Sequence, residues 1–178
     1  MLDYIILGTS HDWQDTSHIM PYLQSITDRY AIRLIAEEHP LDCHSAAFNR
    51  SVHLHIPYLQ IDMFDDEKVK VGISQEQSRR PRFERRGEAL VCYRLSRSDE
   101  IREDFWLQKV EASVSSGRVL LICGFHHANF LVEKIAARGC HVTEEIFFPP
   151  ELSQGVEIRA LSPAELDEYC KEHSGSSR

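Results

Sequence analysis

The sequence predicts an α/β protein, a three-layer, open and mostly parallel sheet of about five strands with helices on both faces. Three features point there. Val119 to Cys123 is a short uninterrupted apolar run, the pattern of a strand buried on both sides. Runs of this kind alternate with stretches of helical period over most of the chain, the order expected of a parallel sheet. Two of the runs also end alike, in Gly8-Thr9-Ser10-His11 and in Gly124-Phe125-His126-His127. In open α/β sheets ligands bind beyond the carboxyl ends of the strands, so imidazoles at strand-to-helix junctions stand where chemistry happens. Gly124 permits a sharp turn there through backbone angles that a side chain resists.

Residues 3–8 read as the first strand and Ser10 to Ser17 as a polar turn. Ile19, Leu23, Ile26 and Tyr30 then fall on one face of a helix with Pro21 in its first turn. Residues 31–36 supply a second strand ending at Glu37, Glu38 and His39. A short helix over 42–52 and a strand over 56–61, ending at Asp62, come next. From 65 to about 88 the apolar period disappears into charge, so residues 65–97 read as an arginine-rich loop or lid within one domain spanning 1–178. Ile101, Phe105, Trp106, Val110 and Val114 restore helical spacing from Ser98 to about Ser115, closed by Gly117, with Trp106 most simply in the core. The helix after the second Gly-x-x-His stops at Gly139. Residues 140–148 read as a fifth strand, a candidate sheet edge for a homodimer. Ser162, Pro163 and Glu165 mark the start of a last helix, and 173–178 a frayed tail.

A chain of 178 residues can bury about 70% of its unfolded surface in one core. No apolar run reaches the ~20 residues that span a bilayer and no signal peptide opens the chain, which points to the cytoplasm and away from membranes. Five scattered cysteines without a CxxC argue against disulfides or a zinc knuckle. A net charge of -8 disfavours general nucleic-acid binding. Residues 79–102 depart from that balance, with eight arginines against four acids. They form either a solvated loop or a lid that draws an anionic small-molecule substrate over the site. Phe83 and Tyr93 among them give single-stranded nucleic acid only slight support.

If the alternation holds, His11, then Glu37, Glu38 and His39, then Asp62, then His126 and His127 occupy equivalent strand ends, where neighbours lie about 4.8 Å apart. Neutral imidazoles beside a carboxylate make a nitrogen and oxygen site for zinc, manganese or iron, or a general base. His11, Glu38, His127, Asp62 and His126 are the candidate ligands, although Asp62 could equally be an N-cap and Glu37 or Glu38 could cap the next segment. His126 and His39 fit supporting or surface positions as well.

The segments GTSH at 8–11, EE at 37–38 and GFHH at 124–127, with Arg102-Glu103 to Trp106 and Val110, resemble the motifs of the Tiki/TraB families and their erythromycin-esterase-like and ChaN-like haem-binding relatives. The resemblance implies one crevice in an α/β fold. It implies His11 and His127 as ligands or bases, Glu37 or Glu38 as the acid, and Arg102 as an anion-holding group. The leading expectation is a small hydrolase, metal-assisted, acting on an ester, amide or phosphoester. A haem-, metal- or anion-binding protein without turnover is the alternative, and a nuclease or phosphodiesterase a third reading.

Overall fold

The computed structural model describes residues 1–39, 45–73, 83–86, 89–92, 97–148 and 158–160. In chain order the elements are β1 (Leu2–Thr9), α1 (His11–Gln14), α2 (Met20–Arg29), β2 (Ile32–Glu37), α3 (Ala46–Leu54), β3 (Tyr58–Gln60), α4 (Asp65–Lys70), β4 (Phe83–Arg86), β5 (Ala89–Cys92), α5 (Arg97–Ser113), β6 (Gly117–Gly124), α6 (Phe125–Ala137), β7 (His141–Ile146) and β8 (Ile158–Ala160). Five strands form an open sheet in the order β3-β2-β6-β1-β7, and every pairing in it is parallel. The expected α/β architecture is therefore present.

The pleat explains why the strand sequences are apolar without a break. Tyr4, Ile6, Leu34, Ala36, Val119, Leu121 and Cys123 face one layer, where Trp106, Leu107 and Val110 of α5 and Leu131 and Ile135 of α6 cover them. Their neighbours Ile5, Leu7, Ile35, Leu120 and Ile122 face the other, against Leu23 and Ile26 of α2 and Ala46 and Ala47 of α3. Central strands thus have no polar side, whereas β7, at the sheet edge, is only partly buried.

Connectivity fixes the position of the crevice. β1 leads through α2, on one face, to β2; β6 leads through α6, on the opposite face, to β7. Neighbouring strands β1 and β6 thus send their chains apart, and the gap beyond their carboxyl ends is the topological switch point where such sheets bind ligands. Both Gly-x-x-His segments begin at that gap.

Several expectations need correction. The stretch from 65 read as loop contains α4, whose Asp65, Asp66 and Glu67 lie in the first turn and Lys68 and Lys70 in the last, in line with the helix dipole. It buries no residue, so no apolar period betrays it. The same stretch contains β4 and β5, an antiparallel pair extended by β8 into a second, three-stranded sheet. Residues 74–82, 87–88 and 93–96, with four of the eight arginines behind the lid reading, lie outside the described residues, as do the helix expected at 162 and the tail. The polar turn after β1 is the one-turn helix α1. Gly117, expected to close α5, is instead the first residue of β6, with φ of 103°. Gly139 follows α6 with φ of 73°, as its sequence position suggests. Among the described residues no helix is long and apolar enough to cross a membrane.

α6 sits so close to β1 that a Cβ on Gly8 would lie 3.0 Å from Ala128 Cβ and 3.4 Å from Phe125 Cα. Neither atom can swing away. Gly8→Ala is expected to lower the unfolding free energy by about 1–3 kcal/mol, measured by urea denaturation. Unchanged stability would mean that the helix is not seated on this glycine.

Candidate functional site

Glu38 follows β2 directly, and its backbone N–H donates to Ile122 O of β6 at 2.8 Å. Its side chain turns into the gap between β2, β6 and β1 and is buried. Oε2 accepts the Gly124 N–H at 2.8 Å. Oε1 is shared: it forms a salt bridge with Arg102 Nη2 and lies 3.5 Å from His11 Nε2 and 3.8 Å from His127 Nε2. Burial alone would raise the pKa of this carboxyl. The charges of Arg102 and His11 outweigh burial and hold it well below the usual carboxylate range.

Arg102 comes from α5. Its Nε and Nη2 donate to Asp62 Oδ1 at 3.2 and 2.9 Å, its Nη1 lies 3.8 Å from Asp99 Oδ1, and its guanidinium lies over the Trp106 ring at 5.0 Å. Three carboxylates and an aromatic face thus surround a buried cation. Arg102 acts as a clamp between β2, the segment just after β3 and α5, and the anion-holding role implied for it meets a guanidinium already engaged.

His11 stands at the mouth, with 45% of its side chain exposed. Its Nδ1 is 3.0 Å from Gln14 Oε1, so Nδ1–H donates to that amide oxygen and Nε2 faces Glu38. The Glu38 charge pushes the imidazole up to about 9 against the opposing effect of burial, and the bonds to Glu38 and Gln14 add to the rise. His127 is fully buried at the floor, its Nδ1 2.9 Å from Glu103 Oε1, the edge of Trp106 at 4.7 Å and the His126 ring at 3.9 Å between centroids.

Gly124 has ordinary angles, φ -55° and ψ 135°, so the turn does not need glycine for its backbone. It needs the space. A Cβ there would meet His126 Cε1 at 2.9 Å and His11 Nε2 at 3.3 Å. The glycine is therefore what allows the two histidine-bearing segments to approach.

Among the described residues, Asp99, His126 and His127 offer ligand atoms that all lie within 4.8 Å of one another, in a buried cluster that could hold a metal ion. His126 and His127 were expected as ligands and Asp99 was not. Asp62 is not part of this group; Arg102 and, at 3.3 Å, Lys68 hold it behind the guanidinium. Glu37 also stays out of the crevice. Adjacent strand residues point to opposite faces, and it accepts from Ser45 Oγ and, at 2.7 Å, from Tyr58 OH on the α3 side, where burial raises its pKa. His39 is buried, its Nε2–H donating to Asp15 at 2.8 Å.

Asp99 and Glu103 carried a signal that the apolar spacing hid. Asp99, Arg102, Glu103 and Trp106 recur at three, four and seven residues, one face of a helix, and that face is the buried one. Ile101 and Phe105, expected to define the core stripe, are only half-buried. Beside the site a groove of about 330 Å³ opens beyond β2 and β3, lined by His39, Gln60, Asp62, Met63, Phe64 and Lys68 among others.

Comparison of the chain with protein-family models, with curated proteins and with solved structures gives no match.

The folded-state value of His11 lies above its unfolded value of 6.5, so its ion pair with Glu38 adds stability that is complete below about pH 6.5 and lost as pH rises through about 9. Thermal unfolding of the wild type should therefore lose more stability over that interval than His11→Gln does. Parallel pH profiles for the two proteins would contradict the pairing.

Proposed function

We propose that the protein is a metal-dependent hydrolase of small esters, amides or phosphoesters, with Asp99, His126 and His127 holding a divalent ion and His11 working beside it. The observation that carries this reading is the shared position of His127, a member of the buried trio whose Nε2 also lies 3.8 Å from the carboxylate that binds His11. A mixed set of two imidazoles and one carboxylate suits zinc, manganese or iron. Three ligand atoms gathered within 4.8 Å suit a single ion better than a porphyrin. Such an ion, when bound, acidifies a water and polarises a substrate oxygen.

The chain's own residues supply the rest. His11, half-exposed and protonated at neutral pH, reaches the crevice from the solvent side and can give its proton to a departing alkoxide or amine. Glu38 keeps that imidazole in place and keeps it charged. Arg102 holds Glu38 and Asp62 against the strand ends, so the acid does not shift when a substrate enters. The groove beyond β2 and β3, with Phe64 and Met63 for apolar contact and Lys68 and Gln60 for polar contact, is the available space for the part of the substrate beyond the scissile bond. The hydrolytic chemistry agrees with what the resemblance to the Tiki/TraB and erythromycin-esterase-like proteins implies.

Burial favours a second reading. Asp99, His126 and His127 are all buried, which suits a protein that retains an ion without turnover. Elemental analysis paired with assays on p-nitrophenyl esters and phosphates separates the two. The hydrolase reading expects about one ion per chain, its loss in His127→Ala, and in His11→Ala full metal content with turnover lower by about 10²–10⁴. Stoichiometric metal with no hydrolysis would favour retention. A protein that neither contains nor takes up zinc, manganese or iron would overturn both.

A further inference from the structure

We infer that Glu103 is a positioning residue, which fixes His127 as the tautomer with its proton on Nδ1 and so presents Nε2 to the crevice as an electron pair, and that Lys134 keeps Glu103 in that role. The inference rests on the metal-binding reading for its consequence but not for its geometry.

Glu103 Oε1 lies 2.9 Å from His127 Nδ1, and both side chains have no solvent exposure. An ionised carboxylate only accepts hydrogen bonds, so the ring nitrogen facing it carries the hydrogen. The other nitrogen then bears the lone pair. Lys134 Nζ lies 3.4 Å from Glu103 Oε2 and donates to Asp104 Oδ1 at 2.8 Å and to Glu100 O at 3.0 Å, so it supplies the charge that balances the buried carboxylate. Lys134 is seven residues after His127 on α6, two helical turns along the same face, and Glu103 of α5 is bracketed between them. Trp106, three residues after Glu103, meets the imidazole edge-on at 4.7 Å, which restrains the ring plane. His127 Nε2 accordingly faces the crevice, 3.8 Å from Glu38 Oε1. A carboxylate behind a metal-bound imidazole also raises its basicity, and removal of such a partner typically costs about 10–100-fold in metal affinity.

The same geometry gives Glu103→Gln a specific effect. Lys134 is a donor beside the Oε2 position and draws the new carbonyl oxygen toward itself, which turns the amide NH₂ toward His127. The ring must then accept at Nδ1 and carry its hydrogen on Nε2. Replacing Lys134 as well, in Glu103→Gln with Lys134→Met, removes that demand and lets the amide oxygen return to the ring.

The test is ¹⁵N NMR of histidine-labelled, metal-free protein, read beside zinc and manganese affinity measured by chelator competition. The expected results are a protonated Nδ1 for His127 in the wild type, a shift of the proton to Nε2 in Glu103→Gln with affinity about 10–100-fold lower, and partial recovery of both in the double variant. A wild-type His127 protonated on Nε2, or a Glu103→Gln spectrum unchanged from wild type, overturns the inference. If Glu103→Gln fails to fold, Lys134→Met alone and the wild-type spectrum still decide it. Absence of metal binding by the wild type would remove the metal reading while leaving the tautomer to be read directly.

Discussion

A single buried carboxylate organises the carboxyl end of this sheet. Glu38 sits where β2, β6 and β1 end together, and a negative charge in that position is tolerable only because it is answered from every side. Arg102, the Gly124 N–H and the His11 imidazole answer it. Removing one partner from a buried ion pair typically costs about 3–5 kcal/mol, because the charge left behind has no water to replace it. The consequence is mutual constraint: α5 must present Arg102, the turn after β6 must present its N–H, and α1 must bring His11 to the mouth. The same residues that make the charge tolerable are therefore those that shape the crevice.

That constraint also separates the roles of residues that look alike in the sequence. Glu37 and Glu38 are consecutive acids, yet the pleat sends one to Ser45 and Tyr58 and the other to Arg102. His126 and His127 are consecutive imidazoles, and both remain within the Asp99 cluster because they begin a helix rather than continue a strand. Arg102 carries a full charge but holds the scaffold together, whereas His11 has far more of its side chain open to solvent.

The sequence made the frame readable where local chemistry and tertiary packing agree. Val119 to Cys123 and Tyr4 to Leu7 are apolar on both sides of the pleat because both faces are covered, and their terminal Gly-x-x-His segments do converge on one gap. Trp106 and Val110 were legible on the buried face of α5, but its buried acids were not readable from apolar spacing, since Glu103 looks like a solvent residue until Lys134 is present to balance it, as Arg102 does until it meets Glu38. Gly124 was read for its backbone freedom and turns out to serve by the volume it leaves to His126 and His11. The hairpin of β4 and β5 was hidden by the charge density around it, since a short strand with arginines on it has the composition of a loop. For α5 the missing information is a partner distant in sequence.

Asp99 and the paired histidines, buried beside the gap beyond β6, form a cluster that could hold a metal ion. Crystals grown with manganese or zinc, with anomalous diffraction collected at the edge of that metal, address it most directly. The expected result is an anomalous peak about 2.0–2.2 Å from nitrogens of His126 and His127 and near a carboxylate oxygen of Asp99. A fully formed crevice with no peak there, or a metal found only on the outer surface, would contradict it.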